Sequence, residues 1–108
     1  MGSISMRDFQ SLDLRIGKVV DAERIAGMRK ILKLRVDIGG EIRESIAGGA
    51  EYYGPEYFIG KSLVFLVNLE PKTIAGVESS VMPLAADYGG KPVWLTPEEE
   101  VPAGVKVR

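Results

Sequence analysis

Eight residues, Ile31-Leu-Lys-Leu-Arg-Val-Asp-Ile38, alternate apolar and polar side chains and run straight into Gly39-Gly40. A period of two puts Leu32, Leu34, Val36 and Ile38 on one face and Lys33, Arg35 and Asp37 on the other, as in a strand buried on one side. Two adjacent glycines then supply a hairpin turn. At 108 residues the chain can build one hydrophobic core but not two. A half-buried strand of this kind must therefore find its partners close by.

Leu12 to Ala22 mostly alternates as well, with Gly17 inside it, which suits a bulge or a sharp bend in a barrel. Ile42 to Ile46 makes a third strand. A three-residue loop with a glycine bulge is expected to pair Ile38 with Ile42, because a two-residue turn would put Ile42 on the side of Asp37. Pro55-Glu-Tyr-Phe-Ile-Gly60 predicts a short helix, with proline near its start and glycine past its end. Tyr52, Tyr53, Tyr57 and Phe58 surround it and read as core or packing residues. Ser62 to Leu69 is apolar almost throughout and reads as a strand covered on both faces. Val81 to Ala86 follows as a fifth strand, then a turn at Gly89-Gly90, a short strand from Pro92 to Thr96 and an extended piece at Val105 to Val107.

Closing such short strands into an antiparallel barrel hides their edges. The expected fold is all-β: a five-stranded OB-fold barrel with a short helix between strands three and four and a C-terminal extension. Residues 1–7 read as a flexible N-terminal segment and 8–108 as one domain. OB-folds bind ligands on strands two and three and in the loops joining strands one to two and four to five. Asn68 to Met82 falls on the latter loop.

Composition narrows the chemistry. The chain has no cysteine and no histidine, which removes disulfides, thiolate nucleophiles, Cys/His metal sites and imidazole catalysis. Glu98-Glu99-Glu100 reads as a solvated turn rather than a catalytic pair. Gly48-Gly49 lacks the Gly-Lys-Ser/Thr of a phosphate loop, and Ser79 and Ser80 have no base to activate them. No catalytic residue, metal or cofactor is expected. With no apolar run long enough to span a bilayer and no secretory pattern, the expected location is cytoplasmic, without membrane association. The formal net charge is −1, but its distribution is uneven. Residues 7–36 carry a net +4 and residues 37–108 a net −5. Arg29, Lys30, Lys33 and Arg35 begin or lie along the second strand, and Arg43 on the third is expected close by. These are phosphate-contacting residue types where an OB-fold binds. Few aromatics are free for stacking, which favours folded RNA over a long single strand.

Three blocks carry a resemblance: Asp8-Phe9 through Leu14-Arg-Ile-Gly-Lys-Val19; Lys30 through Gly39; and Asn68-Leu-Glu-Pro-Lys-Thr-Ile-Ala-Gly-Val-Glu-Ser79 with Met82. From residue 8 onwards the sequence resembles the tRNA-binding domain found free-standing, at the C-terminus of many methionyl-tRNA synthetases, and in the endothelial monocyte-activating cytokine. The resemblance implies sequence-nonspecific binding of the tRNA outer corner by a non-catalytic accessory to a methionyl-type synthetase. Its implied partners are tRNA, a second copy joined through residues 92–108, and a methionyl-tRNA synthetase catalytic chain. The RNA-binding candidates are Lys18, Arg29, Lys30, Lys33, Arg35, Arg43, Asn68, Lys72, Ser79, Ser80 and Met82, of which the resemblance implies Lys30, Lys33, Arg43, Asn68, Lys72, Ser79 and Met82. For Asn68 and Met82 two readings stay open: contact with RNA, or holding the loop and plugging the barrel mouth. Val81 stands where many members have glycine, and Ala47-Gly48-Gly49 where they have Ser/Thr-Gly-Ile. CsaA-type export chaperones, which bind unfolded polypeptide, share the signature and supply the alternative.

Overall fold

A computed structural model describes residues 2–108. Five antiparallel strands form a nearly closed barrel: β1 (Leu14–Arg24), β2 (Ile31–Asp37), β3 (Ile42–Gly48), β4 (Ser62–Leu66) and β7 (Met82–Pro83), in the order β3-β2-β1-β4-β7. The helix α2 (Pro55–Phe58) lies between β3 and β4 as expected. Gly60 follows it at φ +88°, where a side chain would be strained. A second short helix, α1 (Met6–Gln10), begins within the N-terminal segment, with the Ser5 side chain accepting from the Asp8 N–H at its start. Met1 lies outside the described residues.

The alternation read in β2 is realised: Leu32, Leu34, Val36 and Ile38 are buried. They meet Leu63 and Phe65 from β4 and Phe58 from α2 in one cluster. Each such side chain contributes roughly 1.5–3 kcal/mol by leaving water. The expected hairpin register is overturned. Ile38 N–H donates to Glu41 at 3.0 Å, and Ile42 faces Asp37 across the ladder. Gly39 and Gly40 have φ of 91° and 95°, which permits the tight two-residue turn whose twist matches the strands. Ile42 is left 46% exposed as a result.

β1 has eleven residues and serves three partners. Its first half pairs with β4 on one side and with β10 (Lys106–Val107) on the other; its second half pairs with β2. The irregularity in its ladder falls between Val19 and Asp21, beyond Gly17. Gly17 has a different duty. A Cβ there would lie 2.7 Å from both Phe65 Cδ1 and Val36 Cγ1, so its hydrogen lets two core side chains fill the space under β1.

The fifth strand is split at Leu84. Beyond Pro83, which has no N–H to extend a ladder, Leu84 N–H donates to Val64 O, and Val64 N–H donates in turn to Leu95 O. The chain then forms a separate hairpin of β8 (Ala85–Tyr88) and β9 (Lys91–Trp94). The last turn is held by Asp13, whose carboxylate accepts from Arg15 Nε at 2.8 Å and Lys106 Nζ at 3.3 Å. Arg15 Nη1 reaches Gly104 O at 3.1 Å. Burial pushes the Asp13 pKa up, but the hydrogen bonds from Arg15 and Lys106 outweigh it and hold the carboxyl below its ordinary value.

Gly17→Ala should destabilise the fold by about 1–3 kcal/mol through overpacking, read as a lower urea midpoint with an unchanged slope. Asp13 has a depressed folded pKa, so its stabilisation is present above its unfolded pKa of about 3.9 and disappears as pH falls through the lower folded value. In urea titrations the gap between the parent and Asp13→Asn should be full near neutrality and close in strong acid.

Candidate functional site

The connection from Asn68 to Met82 is a built hairpin rather than a slack loop. β5 (Lys72–Ile74) pairs with β6 (Val77–Ser79) through a turn at Ala75-Gly76. The signal was present in Ile74-Ala-Gly-Val77, two apolar residues flanking a two-residue turn. Ala75 sits at φ 51°, the one non-glycine at positive φ among the described residues, a conformation that costs of order 1 kcal/mol. The register sets Lys72 directly opposite Ser79. Two candidates seven positions apart in sequence are thereby neighbours on one face.

The hairpin stands over β3 and leaves a cleft of about 490 Å³. Ile46, Leu69, Ile74 and Met82 give it apolar walls, while Lys72, Glu70 and Ser79 supply the polar groups. Ser79 Oγ donates to Val81 O at 2.9 Å, and the same carbonyl accepts from the buried Ser45 Oγ at 2.7 Å. Ser79 keeps its oxygen lone pairs as acceptors towards the cleft. Met82 is 42% exposed and Val81 only 2%, so Val81 fills the barrel mouth and the methionine is left facing outward. The β-branched side chain is accommodated because residue 81 does not have positive φ.

Asn68 is committed elsewhere. Its Oδ1 accepts from Asp13 N–H and its Nδ2 donates to Ser11 O, both at 2.9 Å. The amide thus ties the root of the hairpin to the start of β1, the loop-holding role. Arg43 is not beside Lys33 and Arg35 as expected. The hairpin register places it opposite Val36, on the inward face. Its Nη1 donates to Val67 O at 2.9 Å and reaches Ser80 Oγ at 3.5 Å, while Nη2 meets Glu41 at 2.9 Å. Arg43 and Ser80 therefore support the hairpin from behind.

The outer face of β2 is less basic than its sequence. Lys33 Nζ lies 2.8 Å from Glu23 and 3.6 Å from Glu44. The hydrogen bond to Glu23, working against burial, raises the Lys33 pKa. The ammonium stays charged, but its field is answered locally. Arg35 stands between Asp21 and Glu44 in the ladder without an ion pair to either. Arg29 and Lys30 lie in the β1–β2 connection and are unpaired among the described residues. Lys18 is at the opposite end of that ladder, facing Asp37 and Ser62. The structure thus brings Lys72, Ser79 and Met82 together, places Asn68, Arg43 and Ser80 behind them, and separates the remaining candidates.

Sequence reasoning missed Leu69, Ile46 and Ile74 as cleft walls, and it misread Tyr52, which is 54% exposed. Glu98, Glu99 and Glu100 are all exposed, as a solvated turn requires. Among the described residues no helix is long and apolar enough to cross a membrane, and no cluster of three or more acidic residues is placed to hold a metal.

Residues 14–106 match the family model described as "Putative tRNA binding domain". Methionine–tRNA ligase of Archaeoglobus fulgidus is 51% identical over 104 residues, covering 96% of this chain and 16% of that protein. The corresponding ligase of Pyrococcus furiosus is 45% identical over all 108 residues, 15% of its length. The chain thus spans about a sixth of the curated relatives it matches. A MetRS-related protein from Pyrococcus horikoshii superposes with a TM-score of 0.94 at 38% identity, each chain covering 100% of the other. Chaperone CsaA from Bacillus anthracis gives 0.88 at 36% identity, over 99% of this chain and 100% of that one.

Proposed function

This chain belongs to the tRNA-binding domain family, and from that membership we propose that it binds the folded outer surface of tRNA without reading its sequence, as a non-catalytic accessory to a methionyl-type aminoacyl-tRNA synthetase. The observation that carries the reading is the convergence of Lys72, Ser79 and Met82 on one cleft. Each has a separate task there. The Lys72 ammonium neutralises a phosphate. Ser79, whose proton is engaged by Val81 O, accepts from a ribose 2′-hydroxyl, the group that distinguishes RNA from DNA. Met82 and Leu69 pack on the sugar or on the face of a base. None of these contacts identifies a base, so recognition rests on backbone and shape.

Arg29 and Lys30 extend the basic footprint at the β1–β2 connection, with Arg35 and Lys18 outlying. Lys33 belongs to it only weakly, because Glu23 and Glu44 answer its charge. The remaining partners are a second copy and a methionyl-tRNA synthetase catalytic chain, with the chain acting in the cytoplasm. Residues 92–108 are assigned to the contact between copies, since Val93, Leu95 and Val105 are 42%, 42% and 40% exposed. A second reading is binding of unfolded polypeptide. It is favoured by the mostly apolar lining of the cleft and by the likeness to a CsaA chaperone.

Filter retention of tRNA at several salt concentrations separates the two. Neutralising about three to five phosphates should give a log–log salt slope of roughly −2 to −5. Lys72→Ala should make that slope shallower by about 0.7–0.9, and Lys33→Ala should change it less. A flat salt response, with retention of a denatured polypeptide instead, would favour the chaperone reading. Light scattering over a range of concentrations should return twice the 11.8 kDa chain mass; a constant single-chain mass would remove the dimer.

A further inference from the structure

The turn after β3 places an aromatic ring where few side chains cover it. Ala50 N–H donates to Lys30 O at 3.1 Å, which fixes this turn against the basic β1–β2 connection. Tyr52 and Tyr53 N–H both donate to Gly49 O, at 2.9 and 3.0 Å. Gly49 itself has φ +80° and packs so tightly on Pro92 that a Cβ would come within 2.6 Å of it. Tyr53 turns inward, its hydroxyl donating to Pro92 O at 2.7 Å. Tyr52 turns outward and is 54% exposed. The Lys91 ammonium stands 5.8 Å from the Tyr52 ring centroid and 5.6 Å from that of Tyr53.

Lys91 therefore stands beside the exposed ring, and Arg29 and Lys30 belong to the connection to which the turn is hydrogen-bonded. None has a carboxylate partner within 4.0 Å among the described residues. The nearby acids are Glu51 in the turn and Asp87, whose Oδ1 is engaged by the Gly90 N–H. An exposed aromatic ring on a hydrogen-bonded turn, with one ammonium beside it and two more cations in the connection the turn is bonded to, suits a ligand that is planar, apolar on its face and anionic along its backbone. Base-paired RNA presents no open base face; an unpaired nucleotide does.

We propose that Tyr52 is a stacking platform for one unpaired nucleotide of the bound RNA, with Arg29, Lys30 and Lys91 holding the flanking phosphates. The site lies apart from the hairpin cleft and rests on the RNA-binding reading. It would give a chain with a net charge of −1 a foothold for a polyanion besides Lys33 and Arg43, which carboxylates already engage.

The test is titration of tRNA and of a blunt-ended RNA duplex against the parent, Tyr52→Phe, Tyr52→Leu and Lys30→Ala, with urea midpoints recorded for each. Tyr52→Leu should weaken tRNA binding by about five- to a hundredfold, while Tyr52→Phe stays near the parent. Duplex affinity should be unchanged by either substitution, and Lys30→Ala should lower affinity for both RNAs. If the parent binds tRNA with a clear salt dependence and folded Tyr52→Leu binds it equally well, the stacking site is overturned and the family-based reading stands. If the parent shows no salt-dependent tRNA binding, both are overturned. Loss of denatured-polypeptide binding in Tyr52→Leu, with tRNA binding intact, would overturn the platform and give the ring to a different ligand.

Discussion

The architecture depends on the close approach of Phe65 and Val36 to the backbone of Gly17. β1 must pair with β4 and β10 in its first half and turn towards β2 in its second. A small closed sheet leaves little volume beneath such a strand, and a residue with a side chain at position 17 would fill it twice over. Removing the Cβ lets a fully buried phenylalanine occupy the barrel centre, which keeps β1 and β4 in register along five consecutive pairs. The position of the hairpin cleft follows, because its root continues from the end of β4 and is tied by Asn68 to the start of β1.

Electrostatics on this molecule is a matter of arrangement more than of total. Along β2, Lys33 is paired with Glu23 and Glu44 on the neighbouring strands, while Arg35 stands opposite Asp21 and Glu44 without an ion pair. Such pairs contribute little to stability at an exposed surface, but they flatten the local potential. Among the described residues Arg29 and Lys30 in the β1–β2 connection, and Lys72 and Lys91 at the starts of β5 and β9, have no carboxylate partner.

The five-stranded barrel, the helix between its third and fourth strands and the identity of the core were legible because period-two patterning and glycine placement act locally. Leu32, Leu34 and Val36 declare their face without reference to any other strand. The hairpin register was not legible, because Ile42 argued for an inward position and the steric demand of the Gly39-Gly40 turn prevailed. One residue of register then moved Arg43 from the outer face to the inner one, and with it a presumed phosphate contact became an internal strut. The ion pairs of Lys33 were not legible for a related reason: Glu23 and Glu44 lie on different strands, and only pairing brings them to it. Of the loop signature, Lys72, Ser79 and Met82 were read as a group, whereas the apolar walls around them come from separate elements.

The barrel is not sealed by a ladder at its last junction. β3 and β7 meet through side chains, and the Val81 carbonyl accepts from Ser45 on the closing strand and from Ser79 at the cleft. One oxygen therefore belongs to both the scaffold and the cleft wall. Because the Ser79 proton stays on that oxygen while its lone pairs face the cleft, a donor arriving there leaves the Ser45 contact in place, and filling the cleft does not require the junction to open.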